Sequence, residues 1–481
     1  MLVALPLLSL FLAFPIPPQD RALGYSGQDE RDDVTGTVDI RPVLFFTHSA
    51  GFVHDVVKRP APGKLAPAEQ IFTEFAAGGL RVTCSQDCAD INAANLANYS
   101  AVVFMTTGEL PIAPENRQAL MDWIAHGGAF VGVHCATDTL YEYAPYMEMI
   151  GGTFDGHPWH EEVTVHFEDA RPLGWHAREM AFEQRKKPFV LTDEIYQFKN
   201  FRRHPLQVLL TLDPASVDIA LGKRADQDYA LAWVRDWGEG RVFYCALGHR
   251  EEVWRNKDYQ ELLLGGIAWA IRGPDYPARA PKGARILFGL STKASDAIPN
   301  DLSRWQHADG KPAAWKLVGE AAEVVAGTGD LVTKDSFGDG LYHVEFQTPA
   351  MPDATGQARG NSGVYLQNRY EVQVLDSYGL ELGLGDCGAI YGKHVPAVNA
   401  SRAPERWQAY DIELRAPRFD SAGKKTANAR ITVWHNGIRI HDDFELDGPT
   451  AGGLEEAPLG PLLLQDHGNP VRYRNVWVLP R

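Results

Sequence analysis

The sequence predicts a doubly wound α/β domain followed by an all-β sandwich of the jelly-roll type. Three observations predict it. Up to residue 272, short apolar runs alternate with stretches of helical spacing, the pattern of strands covered on both faces by helices. From about Leu302 onward, short strands are separated by Gly, Pro, Asn and Asp turns with little helical periodicity. Between them, Pro274-Asp-Tyr-Pro-Ala-Arg-Ala-Pro281 has the composition of a linker. We therefore divide the chain into an α/β domain over 40–272, a linker over 273–294 and a sandwich over 295–481. A length of 481 residues calls for two domains.

In the first domain, Pro42–Thr47 is a continuous apolar run and reads as a strand buried on both faces. Ala68–Ala77 has helical spacing. Ala101–Met105 is a second buried strand, Glu115–Ala125 a second helix, and Ala129–His134 a strand that runs into Cys135. Arg241–Leu247 is another strand, followed by Tyr259–Ile271, a helix of Leu, Ile and Trp. Such alternation implies a mainly parallel sheet with function at the carboxyl ends of its strands. In the second domain, Tyr342–Thr348, Tyr410–Arg415 and Arg430–His435 read as strands. Asn436-Gly437 is a hairpin turn leading into Ile438–His441.

The net charge of −16 (46 basic against 62 acidic residues) comes with no long Lys/Arg run, which argues against nucleic acid and anionic membrane surfaces as partners. It fits neutral ligands such as sugars. Residues 1–22 begin with an apolar stretch to Phe14 and continue into prolines, as in a secretory signal peptide. The expected setting is periplasmic or extracellular, with no membrane insertion after signal removal, and a polar spacer runs to about Val38. The five cysteines form no metal pattern. Cys84 and Cys88 are spaced to close a small disulfide, while Cys135 and Cys245 end apolar runs and read as buried thiols.

Asn361–Asp376 contains two alternating runs. Val364 and Leu366 mark the buried face of one, Val372 and Val374 that of the other. Tyr365, Gln367, Glu371 and Gln373 project from the opposite face, with Asp376 at its end. Side chains of equal phase share a face only across an odd loop, so Asn368–Tyr370 is the expected turn. An aromatic ring, two amides and a carboxylate suit sugar recognition, although a solvated sandwich face has the same alternation.

Phe130-Val-Gly-Val-His-Cys-Ala-Thr-Asp-Thr139 reads as a strand-to-helix elbow with a thiol at its corner. Cys135, with His249 and Glu251 after the last strand, has the order of an amidotransferase triad, but Val133 and Thr137 replace the glycines that elbow requires. Thr47-His-Ser-Ala-Gly-Phe-Val-His-Asp55, Gly127–Thr139, Phe154-Asp-Gly-His-Pro-Trp159, Thr192-Asp-Glu-Ile-Tyr196 and Ala246-Leu-Gly-His249 closely resemble the ThuA-like, trehalose-utilisation family. That resemblance implies a flavodoxin- or amidotransferase-like fold and a role in sugar metabolism. His48, His134, Cys135, Asp138, His157, Glu194, His249 and Glu251 would line its pocket. His157, His160 and Glu162 also read as metal ligands, but a tight turn and the polar side of a strand explain them as well.

Gly385–Gly392, Val433–Asp442 and Gly460–Trp477, together with Asn361–Asp376, closely resemble the 3-keto-disaccharide hydrolase domain family, which has a concanavalin-like sandwich. Gln465-Asp-His-Gly-Asn-Pro470 with Arg474-Asn475 is the sharpest part. The resemblance implies cleavage of keto-glycosides. Gln373 stands where laminarinase-type hydrolases carry a second acid, which disfavours a two-carboxylate mechanism. Elimination needs a base, an acid and enolate donors. Glu371 and His467 are the candidates for base and acid, in either order. Arg474, Gln373 and Gln465 are candidate donors, Tyr365 is a stacking platform, and Gln367, Asp376 and Asp466 are grouped with the substrate-binding residues. A divalent ion such as Ca²⁺ suits a lectin-like sandwich, but no ligand cluster in the sequence specifies one. A non-catalytic carbohydrate-binding sandwich is the alternative reading.

Overall fold

The computed structural model describes residues 41–168, 189–272, 280–281, 283–289, 301–450 and 454–481. The expected signal peptide, the spacer and most of the linker lie outside them. The chain divides near Pro274 into two compact units.

The first unit is built on a nine-stranded mixed sheet. Its strands in chain order are β1 (Arg41–Phe46), β2 (Leu80–Ser85), β3 (Ala101–Phe104), β4 (Ala129–Val133), β5 (Trp159–Phe167), β6 (Phe189–Ile195), β7 (Gln207–Leu212), β8 (Ala230–Trp237) and β9 (Gly240–Cys245). They lie side by side as β2-β1-β3-β4-β9-β8-β7-β5-β6. The half from β2 to β9 is parallel. The half from β9 to β6 is antiparallel. The expectation of a mainly parallel sheet is thus corrected to a mixed one. The direction reverses because Gly238, at φ 60°, closes a tight hairpin that returns β8 as β9.

The parallel half follows the apolar runs. Val43, Leu44, Phe45 and Phe46 are all fully buried, as a strand between helical layers requires. The helix Pro67–Ala76 starts with Pro in its first turn, and Glu69 accepts a hydrogen bond from the Ala66 amide at 2.9 Å, satisfying an otherwise orphaned donor. Its Ile71, Phe72 and Ala76 are buried. Cys84 and Cys88 are both free thiols. The disulfide does not form because Cys84 turns to Thr73 Oγ1 (3.8 Å) and the Glu69 carbonyl (3.9 Å), while Cys88 lies in a separate 3-10 turn, Cys88–Asp90.

The second unit is β-rich and antiparallel. A five-stranded sheet runs in the order Trp305–His307, Leu331–Thr333, Leu463–Leu464, Ser362–Leu366, Tyr370–Val374. The larger, eight-stranded sheet contains Gly340–Gln347 between Arg472–Pro480 and Gln408–Arg415, followed by Ala429–His435 and Ile438–Leu446. One core joins the two sheets: Val364, Leu366, Val372 and Val374 from the small sheet, and Val344, Phe346, Tyr410, Ile412, Val433 and Tyr473 from the large one. Asn436 (φ 52°) and Gly437 (φ 83°) make the expected hairpin turn, a left-handed pair that Asn-Gly favours. No helix among the described residues is long and apolar enough to cross a membrane.

Candidate functional site

In the sandwich, Ser362–Leu366 and Tyr370–Val374 pair with Val364 opposite Val372 and Tyr365 opposite Glu371. The loop is three residues, Gln367–Arg369: odd, as parity requires, but one residue earlier than expected. Gly363 therefore stands opposite Gln373. The space a side chain would fill at Gly363 is taken by Glu371, since a Cβ there would lie 2.6 Å from Glu371 Oε1 and 2.8 Å from Tyr365 Cε2. Tyr365 is hydrogen-bonded to Glu371. Gln465 Nε2 donates to the Tyr365 hydroxyl at 3.1 Å, which leaves the phenol proton for the carboxylate. Burial raises the Glu371 carboxyl to about 7, against the Tyr365 hydrogen bond and with help from the charge of Asp330.

Asp330 was not among the sequence candidates. It precedes the strand Leu331–Thr333, where Gly-Asp reads as a turn. Its carboxylate accepts from the Asp466 amide at 2.8 Å, and burial raises its pKa. His467 is exposed in the neighbouring turn and acts electrostatically on Asp330. His307 Nδ1 donates to the Asp330 carbonyl at 3.0 Å, because its Nε2 already accepts from the Ala314 amide at 3.1 Å.

Other candidates lie elsewhere or are engaged by the fold. Gln367 is in the turn rather than on the polar face, and its Nε2 donates to the carbonyls of Phe337 (3.1 Å) and Pro458 (3.0 Å). Gln373 is on the face, but it donates to Gln357 Oε1 (3.0 Å) and the Gly385 carbonyl (3.2 Å), so it braces two loops. Asp376 binds Arg359 at 2.6 Å, and Asp466 accepts from the amides of Gly329 and Gly468, both at 3.0 Å. Arg474 does not face Glu371. It belongs to the large sheet, where its neighbour Tyr473 points into the core and strand alternation turns Arg474 outward. There it pairs with buried Glu345 at 2.7 Å and lies over the Trp407 ring at 4.0 Å.

In the first unit, loops after β1, β4 and β9 carry His54, His134 and His249, and β6 supplies Glu194. One candidate ligand atom from each lies within 4.8 Å of the others. His134 Nε2 is 3.3 Å from His249 Nδ1 and 3.4 Å from Glu194 Oε2, and His249 Nδ1 is 3.1 Å from the same oxygen. Buried Asp193 accepts from the amides of Gly248 (2.7 Å) and Arg250 (3.1 Å), which fixes the loop that presents His249. Burial opposes ionisation of Glu194, but the adjacent His134 and His249 outweigh it and hold the carboxylate well below its ordinary range. Burial, with His134 and His249 nearby, pushes His54 down to about 3, so it is neutral. Among the described residues the sandwich brings together no comparable group.

Residues 42–270 match the ThuA family, described as trehalose utilisation, and residues 297–479 match the 3-keto-α-glucoside-1,2-lyase-like domain. The chain is a fusion of these two families. A candidate glycosyl hydrolase from Parabacteroides distasonis is 35% identical over 42% of this chain and 85% of its own, with a TM-score of 0.38. A ThuA-like protein from Bacteroides uniformis is 19% identical over 51% of this chain and 95% of its own, at 0.37. No curated protein matches the chain.

The ThuA domain does not assemble the Cys135–His249–Glu251 triad. The residue at the elbow is His134, which takes the left-handed conformation (φ 44°) at the end of β4. Cys135 is 1% exposed, and burial raises its thiol pKa well above the ordinary value, so it is neither accessible nor ionised. Glu251 opens the short helix Glu251–Arg255 and pairs with Arg255 at 2.8 Å; Glu194 partners His249 in its place. His157 reaches the other Glu194 oxygen at 3.4 Å, while Asp138 accepts from Tyr141. His160 contacts the His249 ring at 5.0 Å between centroids, and Glu162 is exposed. His48 lies apart, its Nδ1 2.7 Å from the Gln86 carbonyl, in a cleft of about 810 Å³ that the four clustered residues do not line. His54 lies within the Thr47–Asp55 motif, which by itself gives it no role. Its signal was a second histidine six residues after His48, in the loop that follows β1.

Proposed function

We propose that the lyase-like sandwich of this carbohydrate-active protein cleaves 3-keto-glycosides by elimination, with Glu371 as the base. The observation that carries this reading is the placement of Glu371. It is a nearly buried carboxyl with a pKa near 7, hydrogen-bonded to Tyr365 on the polar face of the hairpin. A general base is most effective when its pKa lies near the working pH. The C3 ketone acidifies the C2 proton. Glu371 takes that proton, the electrons form the C1–C2 double bond, and the C1–O bond breaks with its electron pair on the leaving oxygen. Asp330 or His467 protonates that oxygen, and water then adds across the enone, so the sum is hydrolysis. Tyr365 and Gln465 form the donor chain beside the carboxylate. The ThuA domain would serve the same sugar catabolism, and the apolar N-terminus supports a periplasmic or extracellular setting. The test is incubation of the full chain with 3-keto-trehalose. A Glu371→Gln variant should bind the sugar but lose about 10²- to 10⁴-fold in turnover, the usual contribution of a general base. Binding with no turnover by the unmodified protein would favour a carbohydrate-binding role.

A further inference from the structure

We infer that His54, His134, His249 and Glu194 of the ThuA domain form a site for one divalent first-row transition-metal ion. Three ligand atoms already define a coordination face. His134 Nε2, His249 Nδ1 and Glu194 Oε2 make a triangle with sides of 3.1, 3.3 and 3.4 Å. Metal–ligand bonds of about 2.0–2.1 Å place neighbouring ligands about 3.4 Å apart in a tetrahedron and about 3.0 Å apart in an octahedron. The triangle therefore needs little rearrangement to close on an ion.

The imidazoles are oriented for it. His134 Nδ1 is 2.7 Å from the Ala246 carbonyl and so carries the proton, which leaves the Nε2 lone pair directed at the cluster. A metal-bound histidine is commonly oriented by a backbone carbonyl in this way. The His54 ring stands at 84° to His134 and 79° to His249, with centroids 4.9 and 5.0 Å away. His54 is 2% exposed, and its Nδ1 has no hydrogen-bond partner. A buried polar nitrogen without a partner is costly in a closed protein, and a bound ion would explain why one is kept among three other ligating groups. The strained left-handed backbone at His134 points the same way. Three imidazoles and one carboxylate select zinc, iron, manganese, cobalt or nickel over Ca²⁺ and Mg²⁺, which require oxygen ligands. His249, the most exposed of the four, and the neighbouring His157 mark the side open to solvent.

The test uses the full chain, stripped by a chelator and titrated with Co²⁺ and Zn²⁺. The expected result is one equivalent per chain, a Co²⁺ ligand-field spectrum, and displacement of Co²⁺ by Zn²⁺. His54→Gln and Glu194→Gln should each weaken binding by more than the ~10–100-fold typical of losing an outer partner. His48→Ala, outside the cluster, should leave it unchanged. Substoichiometric binding by the unmodified chain would overturn the inference on its own, whether or not the variants fold. Full binding by both folded variants would overturn it as well.

Discussion

Glu371 depends on a residue with no side chain. Because its carboxyl occupies the space above Gly363, Gly363→Ala must push it away: the new Cβ would sit 2.6 Å from Oε1. We expect a stability loss of about 1–3 kcal/mol from overpacking and a fall in turnover of up to about 100-fold from misplacing the base, measured by urea unfolding and steady-state kinetics. The pH dependence has a definite sign. Glu371 must be ionised to accept a proton, so kcat/KM should rise with pH and level off above about 7. Its effect on stability runs the other way. A carboxyl raised from 4.5 to about 7 stabilises the fold fully below 4.5 and loses that contribution as pH rises through 7. A flat kcat/KM profile across this range would exclude Glu371 as the base. Cys135 offers the contrasting case: Cys135→Ala should leave activity unchanged, and native-state alkylation should not reach the thiol. The polar face of the hairpin was legible because strand alternation is local and Glu371 stands in it. Asp330 and Arg474 were not legible in the same way. Asp330 acts on Glu371 through its charge from a distant segment, and Arg474 is turned outward by one step of alternation within a segment whose other end reaches the site.

The elements that matter are strand ends and turns. The sequence placed β1, β3, β4 and β9 by their apolar runs, and the loops after β1, β4 and β9 carry the three histidines. Part of the antiparallel half escaped the sequence reading because its outer strands lack a continuous apolar run. Trp159–Phe167, for example, buries only Trp159, Val163 and Val165. The elbow was recognised as an elbow, but its corner was assigned to Cys135 when the backbone reverses at His134. Asn436-Gly437 was legible because a left-handed pair admits few residues. Asn436 also accepts from the Ala409 amide at 2.9 Å and donates to the Ala400 carbonyl at 2.7 Å. Replacing both residues with Ala should cost at least about 1–2 kcal/mol for each left-handed position, with a lower urea midpoint and an unchanged m-value as the expected observation.

At the scale of the whole chain, two families are joined in one polypeptide, each with its own cluster of titratable groups. The order of the domains was legible from the change of grain near Pro274, and the family motifs identified both. What each cluster does chemically is decided by contacts between segments far apart in sequence: Tyr365 with Gln465, Asp330 with Asp466, His54 with His134 and His249. The central claim is that the sandwich uses one ionised carboxyl to cleave a keto-glycoside. The most direct test compares turnover of 3-keto-trehalose and unmodified trehalose by the full chain and by its Glu371→Gln variant. Release of 3-keto-glucose from the keto-sugar alone, lost in the variant while sugar binding persists, is the predicted result. Cleavage of both sugars at similar rates, or turnover undiminished in Glu371→Gln, would contradict it.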